Sequence, residues 1–596
     1  MKVEFPLLDK IVEVEPGSMV SDACFAAGVP LDLVCGGNGT CEKCLVDIME
    51  DGQRKSVLGC LEEVKEGMKV LAAEEQDSHQ LLETAEHSDF VFDPDLESVA
   101  IPRTELVTAM GTYDVATLYD ALSNRGYELE APDYDTMILI QQQYRSEEGS
   151  LLNVVIDRGR IIDLVPGDEE LTIYGTGTDV GTTSVVMFLY DLKTGTLLGQ
   201  ASALNGQTAF GADVISRIEH AGGSEENLRD EQAAIHKTLD GLLTTICEKC
   251  DVDPNAVYEM VYSGNSTMQH LFMGFDPYPL GRSPFTGLMG QEATMPASKG
   301  LIHMNPRGIH IFMPLLGAYV GADTLACMLE LPSGDDKVRM TIDLGTNCEV
   351  TIGNDSRNLV ASTACGPALE GAGIELGMRG KNGAIETVAA EDGKIVVGVI
   401  GDVAPIGLCG SGIIDAVAVL FQEGVINSKG AFLKGKKLEA NPWHDKVRES
   451  EERGRYFVLV EADDNPNGTE IYITQKDIRA IQLAKAAIHT GYTLLINSYG
   501  IEKEDIEEVW LAGAYGNYIN IENAQSIGLI PHFEGVPVHR MGNGAGLGAQ
   551  RYLKSRPERK RGELIRANAT HVELADDPAF RDVYIGSMTF GDDMDQ

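Results

Sequence analysis

Two stretches of this chain share one pattern. Leu171 begins LTIYGTGTDVGTTSVVMFLYDLKTGTLLGQASALN, which reads as a strand, the loop Asp179-Val180-Gly181-Thr182-Thr183-Ser184, and further strands separated by turns. About 160 residues on, VRMTIDLGTNCEVTIG repeats strand, Asp343-Leu344-Gly345-Thr346-Asn347, strand. In each, a carboxylate leaves a strand into a tight glycine turn flanked by hydroxyl or amide side chains. Such a turn presents backbone N–H groups to phosphate oxygens, and the carboxylate can hold hydrated Mg2+ against them. One Asp-x-Gly-Thr is a weak signal. A second copy at the matching strand predicts two related α/β lobes with a phosphate loop in each. Within the first, Ile235, Leu239, Leu242 and Ile246 recur at helical spacing.

Two more glycine loops fit a nucleotide site. Gly410, Ser411 and Gly412, in GLCGSG, precede the apolar helix IIDAVAVLF, whose N-terminus would face a nucleoside. Gly513, in LAGAYGN, follows the strand EEVWLAG and would line the adenosine pocket. No Gly-x4-Gly-Lys-Ser/Thr phosphate loop occurs.

The N-terminal region carries different chemistry. CGGNGTCEKC places Cys35, Cys41 and Cys44 at C-x5-C-x2-C spacing, and Cys60 completes a set of four. Thiolates take soft metals, so zinc and iron–sulfur are the candidates. Four-cysteine zinc sites usually pair two CxxC knuckles, and Cys60 has no such partner. Three close ligands on a glycine-rich loop, with a fourth on another element, favour a 2Fe-2S cluster. Gly36, Gly37 and Gly39 would let the loop wrap it and offer N–H groups to its sulfides. Common plant-type ferredoxins have a shorter first gap and a longer last one, so the elements between Cys44 and Cys60 must be compact. The other cysteines are weaker signals. Cys24 reads as core, and Cys247 and Cys250 as half-buried thiols at a helix end. Cys327, Cys348, Cys365 and Cys409 read as small hydrophobes, the last two flanking glycine loops.

Composition narrows the partners. A formal charge of -45 argues against nucleic acid and anionic membrane surfaces. MKVEFPLLDK lacks the apolar stretch of a signal peptide, and runs such as MPLLGAYVG are far too short to span a bilayer, so a cytoplasmic protein is expected. In 596 residues several domains are expected. Residues 1–78 would pair KVEF with IVEVE as a hairpin, place a helix from Ser18 to Ala27 with Ser18 as cap, and add the strands LVDIME and MKVLAAE. Residues 79–133 read as a linker with short helices, HSDFVFDPDLESVAIP being extended. Residues 134–170 read as a small middle domain containing a hairpin that turns at Arg158-Gly159. The lobes take residues 171–338 and 339–560. An extension at 561–596 would end in a strand at VYIGSMTFGDD.

DVGTTS and DLGTN, with GLCGSG and LAGAYGN, resemble the acetate and sugar kinase, Hsc70 and actin superfamily. More narrowly, the chain resembles the ATP-dependent reductive activators of corrinoid proteins. This rests on CGGNGTCEKC with Cys60, YGTGTDVGTTSVV, ALNGQTAFGADVISRI, YSGNSTMQHLF, IDLGTNCE, ACGPALEGAGIE, GLCGSGIID and GNGAGLGA, in that order over nearly the full length. The resemblance implies a multidomain α/β fold. An N-terminal β-grasp ferredoxin-like domain would be followed by a small bridging domain and duplicated actin-like, ribonuclease H-like ATPase lobes. It implies reduction of Co(II) to Co(I) on a corrinoid (cobalamin-binding) protein, coupled to ATP hydrolysis, with a low-potential electron donor and a homodimer. Asp179 and Asp343 would face Mg2+ and phosphate. Gly181, Thr182 and Thr183 would cradle one phosphate region, and Gly345, Thr346 and Asn347 the other. Gly410, Ser411, Gly412 and Gly513 would approach the nucleoside, and Gln207 and Asp213 are candidates for the inter-lobe cleft. Two other readings compete: a small-molecule kinase with a redox regulatory domain, and an Hsc70-like scaffold.

Overall fold

The structure, a computed structural model, describes residues 1–8, 10–27, 29, 31, 44–50, 53–72, 90–211, 213–345, 347–516 and 518–591. The N-terminal unit is a five-stranded sheet with a helix against it. Lys2–Phe5 (β1) pairs antiparallel with Lys10–Glu13 (β2), the expected hairpin. Helix Val20–Ala27 (α1) follows, its start marked by Asp22, which accepts from the Met19 N–H, rather than by a helix beginning at Ser18. Leu45–Glu50 (β3), Gln53–Leu58 (β4) and Met68–Val70 (β5) complete the order β2-β1-β5-β3-β4, in which β1 and β5 run parallel. This is a β-grasp sheet. Strand β4 had no sequence signal because Arg54, Lys55 and Ser56 face water and only Val57 is buried. Cys24 is core, its thiol pushed up to about 12 by burial.

The stretch expected to be an extended linker supplies Leu96–Pro102 (β6), a strand of the next sheet. It pairs with Leu151–Asp157 (β7), which pairs with Arg160–Gly167 (β8). Arg158 (φ 49°) and Gly159 (φ 79°) make the expected two-residue turn. Helices Asp114–Ser123 (α2) and the unforeseen Tyr134–Gln143 (α3) pack on this sheet through Leu118, Leu122, Leu139 and Ile140. Asp133 caps α3 by accepting from the Thr136 N–H at 2.8 Å.

Tyr174–Val180 (β9), Ser184–Asp191 (β10) and Leu197–Leu204 (β11) form an antiparallel meander. Val257–Gly264 (β12) runs parallel to β9, and Ile309–Phe312 (β14) parallel to β12, with Ala293–Pro296 (β13) at the edge. Helices Val214–Ala221 (α4), Glu225–Cys250 (α5), Ser266–Met273 (α6) and Ala322–Glu330 (α7) accompany this sheet. The second lobe repeats the topology. Arg339–Leu344 (β15), Cys348–Asn354 (β16) and Arg357–Thr363 (β17) form the meander. Two three-stranded sheets are then inserted: Ala384–Glu391 (β18), Lys394–Val399 (β19) and Gly407–Leu408 (β20), and Val447–Ser450 (β21), Gly454–Val460 (β22) and Ile471–Thr474 (β23). Glu508–Ala512 (β24) returns parallel to β15, Val538–Gly542 (β25) lies beside it, and Ala569–His571 (β26) pairs with β17. The main helices here are Gly410–Gln422 (α8), the short Lys436–Glu439 (α9) and Gln475–Tyr499 (α10). Both lobes thus have the ribonuclease H-like plan, and the spacing of the two Asp-x-Gly-Thr loops marks that repeat.

After Gly513–Gly516 (α11) and Ile521–Ser526 (α12), the chain crosses back to the first lobe. Gly544–Lys554 (α13) lies on β9 and against α7, at contacts only glycine allows. A Cβ on Gly177 would sit 2.8 Å from the Gln550 backbone, and one on Gly548 only 2.2 Å from the Ala326 carbonyl oxygen. The glycines of YGTGTD therefore serve a helix crossing as well as the loop. Arg556–Asn568 (α14) follows. The C-terminal stretch, expected to be a strand, is instead the helix Phe580–Gly586 (α15), with Phe580 and Tyr584 stacked one turn apart at 6.0 Å.

Helix α14 also rivets the middle sheet to the first lobe. Arg559, almost fully buried, reaches Asp95 at 3.1 Å just before β6 and also pairs with Glu259 on β12. Removing one partner of a buried ion pair leaves an uncompensated charge, a loss of roughly 3–5 kcal/mol. R559A is therefore expected to lower the thermal unfolding midpoint by several degrees, read by differential scanning calorimetry, while R556A, at a half-exposed arginine, shifts it less.

Candidate functional site

The two phosphate loops meet where the lobes face each other. Asp179 closes β9 and Asp343 lies near the end of β15. A third carboxylate joins them from Asp323, the second residue of α7, and a fourth, Glu349, comes from β16. Burial and mutual repulsion act on all of them. Burial, then the Asp323 and Asp343 charges, pushes Asp179 up to about 7, while a hydrogen bond from Asn543 opposes this. Burial, then Asp323, pushes Asp343 up to about 7, and burial pushes Asp323 up to about 6. Burial, then Asp323 and Asp343, drives Glu349 well above the usual carboxylate range, although Ser362 donates to it at 3.1 Å. The Cys327 thiol stands 3.8 Å from Asp343 Oδ2, and burial, then these carboxylates, raises it strongly.

Acidic groups gathered in a desolvated cleft suit a bound divalent cation and oppose an empty one. Among the described residues no three metal-ligating side chains are close enough to cage an ion directly.

The expected loop residues are placed unequally. In the first loop, carbonyl oxygens are tied back: Asn205 donates to Gly181 O at 2.8 Å and Arg217 to Thr182 O at 2.6 Å. Asn265, which caps α6, donates to the Thr182 hydroxyl at 3.0 Å. In the second loop, Asn347 is exposed and Cys365 donates to Gly345 O at 3.3 Å, while Thr346 lies outside the described residues. Gly513 (φ +85°) is pressed against this loop, and a Cβ there would meet Leu344 O at 2.5 Å and Asp343 Oδ1 at 2.6 Å. It therefore packs directly on the Asp343 loop. Gly410, Ser411 and Gly412 begin α8 but are buried against β18: Ser411 donates to Glu386 O at 2.8 Å, and a Cβ on Gly412 would lie 2.1 Å from Ile385 O. Gln207 and Asp213, the candidates for the inter-lobe cleft, both make bonds within the fold. Gln207 is fully buried and donates to Glu231 O at 3.1 Å, and Asp213 caps α4 in a capping box with Ser216.

Asp323 and Glu349 escaped the sequence reading. The signal for Asp323 was GAYVGADTLAC, a glycine-rich turn with an acid at the start of an apolar helix. Nothing in the sequence alone says that this turn lies between two other aspartates.

In the N-terminal unit, Cys44 and Cys60 are both buried and their sulfurs are 3.1 Å apart. The β3–β4 hairpin begins just after Cys44 and ends just before Cys60, with Leu45 opposite Leu58, and Gly59 donates to Cys44 O at 2.9 Å. This is the compact element that the short last gap demanded. A separation well beyond the 2.05 Å of a disulfide suits two thiolates sharing one metal. Cys35 and Cys41 lie outside the described residues. Cys247 is buried and pushed up to about 11, while Cys250 donates to Leu198 O at 3.3 Å. No helix among the described residues is long and apolar enough to cross a membrane.

Two ribonuclease H-like lobes closing on an acidic cleft, joined to a β-grasp unit with paired thiols, define an ATPase-type enzyme coupled to an iron–sulfur domain. Comparison with known proteins agrees. Residues 1–75 match the 2Fe-2S iron-sulfur cluster binding domain, residues 174–332 the RACo middle region, and residues 337–596 the C-terminal, ASKHA domain of RACo. The chain is 49% identical over 595 residues to the corrinoid activation enzyme RamQ of Eubacterium limosum, covering 100% of both. It is 25% identical over 452 residues to a Co(II) methylated amine-specific corrinoid protein reductase of Methanosarcina barkeri, covering 70% of this chain and 77% of that one. Among solved structures, a reductive activator for corrinoid, iron-sulfur protein superposes with a TM-score of 0.74 at 29% identity, covering 99% of this chain and 98% of that one. The chain belongs to the RACo family of reductive activators of corrinoid proteins.

The raised carboxylates make a pH prediction. Asp343 holds its proton to about pH 7 when folded but only to roughly pH 4 when unfolded. The folded chain thus binds the extra proton between these values, and stability falls as pH rises through that window. Without Mg2+, D343N is therefore expected to match the wild type near pH ~4 and exceed its thermal midpoint by several degrees at pH ~8. Saturating Mg-ATP should narrow the gap at the higher pH, as followed by scanning fluorimetry.

Proposed function

We propose that this enzyme reduces Co(II) to Co(I) on a corrinoid protein, one electron per event, and couples the step to hydrolysis of Mg-ATP. The observation that carries this reading is that one chain holds both a carboxylate-lined cleft between duplicated lobes and, on a separate unit, a buried thiol pair. Cys35, Cys41, Cys44 and Cys60 would hold a 2Fe-2S cluster, which when bound supplies a one-electron carrier. A low-potential donor would supply the electron, and Co(II) would be the acceptor. In the cleft, Asp179 and Asp343 would hold hydrated Mg2+, which when bound would offset phosphate charge, and the loop N–H groups would take the phosphate oxygens. Asp323, the third acid beside them, would add to the negative charge that favours the cation. ATP and water give ADP and phosphate, with no change in redox state.

The acidic chain, with 92 Asp and Glu against 47 Lys and Arg, favours a positively charged docking patch on the corrinoid protein. A cytoplasmic setting and a homodimer belong to the same reading. Self-association would use the middle unit, where Val107, Met110, Tyr113 and Tyr134 are at least 71% exposed.

The test is anaerobic reconstitution with Co(II) corrinoid proteins, following Co(I) by absorbance and ATP turnover in parallel. Turnover stimulated by a sugar or carboxylic acid instead would favour a kinase. D179A and D343A are expected to lower ATP hydrolysis at least ~100-fold with the visible cluster spectrum unchanged. C41A should lose that spectrum and cobalt reduction while retaining basal ATP hydrolysis. Normal cobalt reduction by C41A would remove the electron-carrier role.

A further inference from the structure

We infer that Arg217 is a positioning residue that sets the first phosphate loop into its anion-binding form before nucleotide arrives. This rests on the nucleotide reading of the cleft. Arg217 lies on α4 and is fully buried. Its Nη2 donates to Thr182 O at 2.6 Å, its Nε to Gly211 O at 2.9 Å, and its Nη1 faces Met268 Sδ at 3.7 Å. Asn205 completes the tie, its side chain donating to Gly181 O at 2.8 Å and its own N–H to Thr183 O at 2.9 Å.

The three successive carbonyls of residues 181–183 thus each accept from a donor outside the hairpin. In a planar trans peptide the C=O and the following N–H point in opposite directions. Holding back the carbonyls of Gly181 and Thr182 therefore turns the N–H groups of Thr182 and Thr183 to the other side. Among the described residues neither N–H has an acceptor. Two adjacent unpaired N–H groups on a turn form a concavity that takes an anion, here a phosphate of the nucleotide.

The charge of Arg217 has a second, independent feature. Among the described residues no carboxylate oxygen lies within ion-pair distance of its guanidinium, whose bonds go to carbonyls. Glu231 and Asp213 act on it only from farther away, and burial, its main perturbation, lowers it to about 10, so it stays charged at neutral pH. Burial likewise pushes Glu231 up to about 8, so this neighbour does little to cancel the charge. A buried cation without a close counter-ion, one peptide behind the loop, favours an anion on the loop's open side.

The test uses the full-length, cluster-loaded protein, with Mg-ATP and adenosine as probes in titration calorimetry and competition. R217M is expected to weaken Mg-ATP binding at least ~10-fold while changing adenosine binding by less than about twofold, because the lost charge-assisted bond to Thr182 O orients only the N–H groups offered to phosphate. R217K keeps the charge but not the fork, so it should recover part of the Mg-ATP affinity. If R217M does not fold, R217K decides: a phosphate-selective loss supports the role. Unchanged Mg-ATP affinity, or equal losses for ATP and adenosine, overturns it. A wild type that binds neither probe overturns the nucleotide reading itself.

Discussion

The structure depends on one close helix crossing. α13 comes from the far end of the chain, yet packs on β9 of the first lobe and against α7 because Gly177 and Gly548 leave no side chain in the way. Asn543, at its N-terminus, accepts from the Gly546 N–H at 2.8 Å and also bonds Asp179. The same helix that joins the two lobes therefore touches the first phosphate loop. α7, its partner in the crossing, carries Asp323 into the space between Asp179 and Asp343. A bulkier residue at Gly548 would push α13 from α7, and one at Gly177 would push it from β9, and either would shift the carboxylates.

The cleft follows from that packing and explains its own electrostatics. Four acids held together in a desolvated space are a poor arrangement for an isolated protein and a good one for a protein that binds a hydrated cation with phosphates. The loops add backbone donors rather than side-chain charge. Their peptides are oriented from behind, by Asn205 and Arg217 in the first lobe and by the Cys365 thiol in the second. The N-terminal iron–sulfur unit is organised separately, with its own sheet and core, and its thiol pair is set by the short β3–β4 hairpin.

Much of this was legible in the sequence. The Asp-x-Gly-Thr pair marked the duplicated lobes, since a strand followed by a glycine turn is a local pattern. The hairpins at β1–β2 and β7–β8 were legible for the same reason, and so was the cysteine spacing. The misreadings were of two kinds. Strands β4 and β6 were lost because one carries Arg54 and Lys55 on its open face and the other follows a stretch with Pro94, so alternation was masked. The C-terminal segment is a helix because Phe580 and Tyr584 pack one turn apart, a period that β-rich composition concealed. Gln207, Asp213 and Ser411 each carry a role within the fold that the sequence did not disclose, as a buried bond, a helix cap and a tie to β18.

The amino-acid sequence by itself determined the candidate groups, two aspartates on glycine turns and four cysteines around a glycine loop, and the order of motifs that carries the family resemblance. These follow from residue type and short spacing, which need no tertiary contact to be read. Only the tertiary structure decided that Asp323 and Glu349 join those aspartates, that Cys60 returns beside Cys44, and that Arg217 stands behind Thr182. Each of these juxtaposes residues through strand pairing or helix packing, and such distances are set by the way surfaces bury one another rather than by position along the chain.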